Sequence, residues 1–185
     1  MTVYFTSPWR DDKNIGIYCN DFMSKLGTND FACIIDGDSV WTTFFYGKQI
    51  NDIIKEYPEC SLFSCMTNRV ACSHQVVAGI DWFNNDMKYH REIGEYLFRT
   101  KYKKISDVSN FEINKAPSGV MMLIKKTLWN KIGGFYKEGC LDVDNKLFYA
   151  AQKAKEPIYI MQGCYLYHWY RNGIINNMAH LICGK

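Results

Sequence analysis

The sequence predicts an α/β fold, with a mostly parallel central sheet flanked by helices in a single domain covering residues 1–185. Three observations predict it. The chain opens with an apolar run, an amphipathic helical run and a second apolar run, a βαβ unit that favours parallel strands with a right-handed crossover. Runs of the same two kinds then recur as far as residue 169. A chain of 185 residues that is 48% apolar is also long enough to bury one substantial core.

The elements follow in order. "TVYFTSP" reads as a short strand ending at Ser7-Pro8, and "RDDKN" as a polar loop in which Asp12 or Asn14 can cap the next element. In "IGIYCNDFMSKLG", Ile15, Tyr18, Cys19, Phe22 and Leu26 fall at helical spacing, and Gly27 stops the helix. "DFACIID" is a continuous apolar strand that ends in Asp36-Gly37-Asp38. Residues 42–57 carry a helix with Phe45, Ile50, Ile53 and Ile54 on one side and Pro58 closing it. "CSLFSCMTN" is another strand-like run. From Arg69 to Asn114 the pattern is hardest to read, with one helix expected around "YHREIGEYLFRTKY". "SGVMMLIKKTLWNKIGGF" gives a strand, a brief helix opened by Lys126-Thr127 and a glycine turn. "LDVDNKLFYAAQKAK" is a helix with acidic residues in its first turn, and "EPIYIMQGCYLYHWY" a last, aromatic strand.

Composition narrows the function class. Net charge is only +3, from 22 basic and 19 acidic side chains, without the dense basic run of a nucleic-acid-binding surface. The aromatic share of 16% exceeds what a core needs, so some rings are expected to line a groove for a planar or sugar-like ligand. The eight cysteines show no C-x-x-C spacing, and Cys33, Cys65 and Cys164 lie in apolar runs as free thiols. With no signal peptide and no apolar stretch of the ~20 residues that span a bilayer, the expected location is the cytoplasm.

Asp36-Gly37-Asp38 has two readings: a turn built from favoured turn residues, or carboxylates placed to hold a metal ion at the carboxyl end of a strand, where open α/β sheets bind ligands. Asp142 and Asp144 also have two readings. They complement a helix dipole, worth about 0.3–1 kcal/mol, or they act chemically. His168, in "CYLYHWY", is either a packed histidine or a metal ligand. Trp82, Trp129 and Trp169 are candidates to stack on a sugar, with core packing the alternative for Trp129. Arg69, His90 and Arg91 fall in the hard-to-read middle, where a solvated surface is the default and phosphate binding the alternative.

The order of these pieces resembles the family 2 glycosyltransferases of the GT-A fold: "NIGIYCN", the strand ending in "DGD", "SGVMMLIKKTLWNKIGGF", "LDVDNKLFYAAQKAK" and "YLYHWY". The resemblance runs from Thr2 to about Trp169. It implies a divalent metal, Mn²⁺ or Mg²⁺, held against the diphosphate of a nucleotide-sugar by Asp38, with Asp36 behind it towards the ribose or a metal-bound water. Gly37 would admit the phosphates closely, and His168 would complete the metal shell. Thr6, Ser7, Pro8, Arg10 and Asn14 would contact the nucleotide, and Gly119 and Gly134 would border the sugar and acceptor pocket. Asp142 would be the general base that deprotonates the acceptor hydroxyl, probing an inverting transfer of a hexose. Leu141 stands where the family usually has Glu, and the segment before "NIG" is shorter than usual.

The expected partners are a nucleotide-sugar and an acceptor that is a glycan, a lipid or a protein, with no nucleic acid. Two other readings stand beside this one. A degenerate transferase would keep nucleotide-sugar or carbohydrate binding without turnover. A nucleotidyltransferase would use a similar sheet, but "TSPWRDDKN" has none of the glycines that such a loop needs to grip a triphosphate.

Overall fold

The run from Phe31 to Ile35 is apolar throughout because both of its faces are covered. The computed structural model describes residues 1–112, 115–137, 139 and 142–169. Among these the order is β1 (Val3–Thr6), α1 (Ile15–Ser24), β2 (Phe31–Ile35), β3 (Ser39–Trp41), α2 (Tyr46–Glu56), β4 (Leu62–Thr67), α3 (Met87–Thr100), β5 (Ile105–Asp107), β6 (Met121–Lys125), α4 (Lys126–Ile132), α5 (Val143–Lys153) and β7 (Ile158–His168). On β2, Phe31 and Cys33 turn to one face, where Phe63, Cys65, Met121 and Leu123 join them beneath Ile50, Ile53 and Ile54 of α2. Ala32 and Ile34 turn to the other, with Met122 and Ile124, beneath Cys19 and Met23 of α1, Leu128 of α4 and Phe148 of α5. A strand buried on both faces loses the polar alternation of a half-exposed one. Each large aliphatic or aromatic side chain so buried contributes about 1.5–3 kcal/mol.

The seven strands form one sheet in the order β1-β2-β6-β4-β7-β3, with β5 also paired to β7. The opening βαβ unit is present: β1 and β2 are parallel, joined through α1. β4 and β7 are parallel too, whereas β6 lies antiparallel between β2 and β4, and β3 and β5 are antiparallel to β7. Against the expectation of a mostly parallel sheet, the described sheet is mixed, with two parallel pairings and four antiparallel ones. β1, β2, β4 and β7 share one direction, but apolar runs carry no record of strand direction, so the reversal of β6 has no signature in the sequence.

The middle of the chain is more deeply built than its polarity suggests. Asp86 caps α3 by accepting from the Lys88 N–H, and His90 is fully buried, with its Nδ1 2.8 Å from the Tyr165 hydroxyl and its Nε2 2.8 Å from the Asn84 carbonyl. Arg69 is only 2% exposed, which corrects the default of a solvated surface. Arg91 alone of the three is exposed. Six cysteines are buried and free, and burial pushes the Cys60 thiol up to about 12, far from reactive thiolate. Cys140 and Cys183 lie outside the described residues. No helix among the described residues is long and apolar enough to cross a membrane.

Candidate metal centre

β2 and β3 lie on opposite sides of β6, β4 and β7, yet only residues 36–38 connect them. The link is a tight turn at the carboxyl end of β2: the Asp36 N–H donates to the Val120 carbonyl at 3.1 Å, and the Ser39 N–H donates to the Asp36 carbonyl at 3.2 Å. The Trp169 N–H donates to the Asp38 carbonyl at 2.8 Å, and Ser39 pairs with His168 across β3 and β7. Both readings of Asp-Gly-Asp are thus compatible. It is a turn, and the turn brings two carboxylates to the end of the last strand.

There Asp36, Asp38 and His168 offer three ligand atoms all within 4.8 Å of one another. The His168 Nε2 is 3.3 Å from Asp38 Oδ1 and 3.9 Å from Asp36 Oδ2. The ring is aimed by the residues that follow β4. Its Nδ1 lies 2.8 Å from the Arg69 carbonyl, and a proton donated there leaves Nε2 directed at the carboxylates. Asn68 fixes the backbone beneath it: the His168 N–H donates to Asn68 Oδ1 at 2.8 Å, and Asn68 Nδ2 donates to the His168 carbonyl at 3.2 Å. Asn68 is fully buried. Its one signal in the sequence is an amide immediately after a strand, too little to mark it as part of a site.

The electrostatics suit a cation. Burial pushes the Asp36 carboxyl up to about 6, the charges of Asp38 and Asp144 push it the same way, and His168 opposes them. Its side chain still shows 47% of its surface to solvent, so the carboxyl remains accessible to a ligand. Burial acts to lower His168, but the hydrogen bond and charge of Asp38, the Arg69 carbonyl and the Asp36 charge outweigh it and raise its pKa. The group holds protons that a divalent cation would displace. Two carboxylates and an imidazole fit Mn²⁺, and fit Mg²⁺ less well because imidazole is the softer ligand.

On one side of the turn, Asp36 opens into a pocket of about 200 Å³ that it shares with Pro8, Gly119, Met122, Asp142 and Asp144. Asp142 precedes α5 with φ of +69°, a left-handed conformation that Asp tolerates better than most residues. Its side chain makes no capping bond to the helix. Asp142 Oδ1 instead accepts from Asn145 Nδ2 at 2.9 Å, so the capping account does not describe it. The Gly119 N–H donates to Asp144 Oδ2 at 2.7 Å, and a Cβ on Gly119 would come 2.5 Å from the Asp144 Cβ. Gly119→Ala is therefore expected to cost about 1–3 kcal/mol in urea unfolding and to push Asp144 off the pocket wall.

No protein-family profile matches the chain, and no curated protein matches it significantly.

The other residues singled out from the sequence divide between this site and the scaffold. Pro8 is in the pocket, and Ser7 lies against the turn: its Oγ is 3.4 Å from where a Gly37 Cβ would be. Gly37 is not among the residues with positive φ. Thr6 shares a 2.6 Å hydrogen bond with the Tyr18 hydroxyl. Arg10 forms a two-bond ion pair with Asp12, at 2.7 and 2.9 Å, and Asn14 Oδ1 accepts the Gly139 N–H at 2.8 Å. Gly134, at φ of +91°, sits where a Cβ would meet Asn20 Oδ1 at 2.7 Å. It lines a separate pocket of about 460 Å³ with Lys137 and Lys146 rather than the metal group. Trp129 donates to Asn20 Oδ1 at 2.8 Å under the Lys126 ammonium, a packed position. Trp82 contributes its carbonyl to Arg69, and Trp169 borders the turn. Cys164 is buried and contacts Met161, and the metal group contains no sulfur. Leu141 lies outside the described residues.

Proposed function

We propose that the chain is a metal-dependent glycosyltransferase of GT-A type, moving a hexose from a nucleotide-diphosphate sugar to an acceptor hydroxyl. One observation carries the reading: the three-ligand group at the carboxyl end of the sheet opens directly, through Asp36, onto a small pocket walled by Asp142 and Asp144. A bound Mn²⁺ or Mg²⁺ would supply Lewis-acid stabilisation of charge developing on the leaving diphosphate. Asp38 and His168 would hold the cation, and Asp36, which belongs to the ligand group and also lines the pocket, would face the donor or a metal-bound water. Asp142 would take the proton from the acceptor hydroxyl, a role supported by its place in the pocket wall and by Asn145, which fixes one of its oxygens. In this reading the acceptor approaches from the Asp142 side and the product leaves with inverted configuration.

The test separates turnover from binding. With Mn²⁺ and a panel of UDP- and GDP-sugars, the wild type is expected to gain thermal stability and to hydrolyse one sugar slowly when no acceptor is present. Asp142→Asn should keep the stabilisation and lose at least about 100-fold of that hydrolysis. Equal loss of both, or turnover untouched by the substitution, removes Asp142 from the base role. Stabilisation of the wild type without turnover would leave a nucleotide-sugar-binding domain instead.

A further inference from the structure

The Asp36–Asp38 turn separates two spaces, and the proposed donor substrate has two ends. On the side away from Asp142 lies an open groove of about 520 Å³, bordered by Asp38, Val40, Asn85, Met87, Tyr167 and Trp169. That volume is within the ~300–1,000 Å³ of small-molecule sites, whereas the space beside Asp36 is smaller and sets the carboxylates of Asp36, Asp142 and Asp144 among Pro8, Ile15, Ile34, Met122 and Val143. A cation held at the turn borders both. A pocket that mixes carboxylates with apolar walls suits a neutral sugar, which offers both hydroxyls and C–H faces, and the larger groove with Tyr167 and Trp169 suits a planar ring.

We infer that this groove is the nucleoside site, where Trp169 stacks on the nucleobase and the Asn85 amide donates to the acceptor-rich edge of that base. The inference rests on the glycosyltransferase reading and places the part of the substrate which that reading leaves unplaced. Trp169 shows 45% of its surface, and its backbone N–H is tied to the Asp38 carbonyl, so the residue is anchored beside the turn with its ring exposed. Asn85 is oriented by its neighbours. Its Oδ1 accepts from an Arg69 terminal nitrogen at 2.5 Å and from the Tyr167 hydroxyl at 2.9 Å. With the oxygen committed inward, the exposed NH₂ group is a pair of hydrogen-bond donors with no partner among the described residues. A two-donor group matches the carbonyl of uracil, or the O6 and N7 of guanine. It meets the exocyclic amine of adenine donor against donor. Three of the five residues expected from the sequence to contact the nucleotide are otherwise engaged, Thr6 with Tyr18, Arg10 with Asp12 and Asn14 with Gly139, while Pro8 lines the Asp36 pocket and Ser7 lies against the turn.

Calorimetric titration of UDP, ADP and inorganic pyrophosphate, each with Mn²⁺, tests this. The wild type is expected to bind UDP at least about tenfold more tightly than pyrophosphate or ADP, the scale of one base–aromatic stack and its edge contacts. Trp169→Ala should weaken UDP about tenfold and leave pyrophosphate unchanged. Asn85→Asp keeps an oxygen for Arg69 and Tyr167 but removes the donors, so it should fold, bind pyrophosphate, and lose UDP affinity relative to it. UDP binding no tighter than pyrophosphate, or unaltered in both variants, overturns the nucleoside assignment while leaving the metal–diphosphate reading in place. Failure of both UDP and pyrophosphate to bind with Mn²⁺ overturns the two together.

Discussion

Asp38→Ala is expected to abolish any Mn²⁺-dependent stabilisation, and the wild-type effect it removes should grow with pH. At a hundredfold excess over its dissociation constant, a ligand of the folded state adds about 2.7 kcal/mol, which in a chain of this size raises the melting temperature by roughly 5–10 °C. In Asp38→Ala that shift should fall to about 1 °C or less, because the two remaining ligand atoms no longer close a site. The direction of the pH effect follows from the proton-holding group. The folded chain keeps a proton on Asp36 up to about 6, against an ordinary 3.8. It therefore binds that proton more tightly than the unfolded chain does, and the metal-free protein loses this contribution as pH rises from about 3.8 through about 6. His168, also raised, is favourable below its ordinary 6.5 and loses that contribution as pH climbs through its higher folded value. A cation needs both groups deprotonated. The Mn²⁺-induced shift should thus be small at pH 5 and large at pH 7.5, as melting curves at the two pH values would show. A shift equally large at pH 5, or intact in Asp38→Ala, would place the cation elsewhere.

Arg69→Met is expected to cost at least about 3 kcal/mol of stability. The guanidinium is buried, and among the described residues no carboxylate pairs with it. Its charge is satisfied instead by oxygens: the Trp82 carbonyl, the Asn84 carbonyl at 3.2 Å and Asn85 Oδ1 at 2.5 Å. Hydrogen bonds to a charged group contribute about 1.5–3 kcal/mol each, and removing the donor strands acceptors that water reaches poorly. Met fills much of the same volume, so the loss reports the hydrogen bonds rather than a cavity. Arg69→Lys keeps the charge but not the fork, and should recover less than half of the loss. Urea midpoints measure all three proteins, and a cost below about 1 kcal/mol for Arg69→Met would show that the 82–85 segment holds itself. The same change should loosen His168, whose ring rests on the Arg69 carbonyl, so Mn²⁺ affinity should fall as well.

What could be read in advance was local. The α1 stripe of Ile15, Tyr18, Cys19 and Phe22, the α2 stripe of Ile50, Ile53 and Ile54, and the doubly covered β2 all follow from residue spacing within one element. Asp36 and Asp38 were legible because turn residues ending a buried strand are few and charged. His168 was ambiguous on its own, and only the pairing of Ser39 with it brings it to the turn. The direction of β6, the edge position of β3, and the roles of Asn68 and Arg69 were not legible, because each depends on partners far along the chain. A buried arginine bonded to backbone carbonyls leaves no acidic partner for a reader to find. At Arg10 the opposite happened: a neighbouring Asp12 two residues away already satisfies it.

The turn at residues 36–38 also bears on assembly. Asp36 and His168 stand 132 positions apart in the chain (168 − 36), with Asn68 and Arg69 between them. The ligands converge only after β7, the last described strand, has inserted between β4 and β3. Such a contact carries a high loop-closure cost and forms late. A cation bound there would come too late to guide early folding; it would act as a latch on the finished sheet, slowing escape from the native state more than speeding arrival.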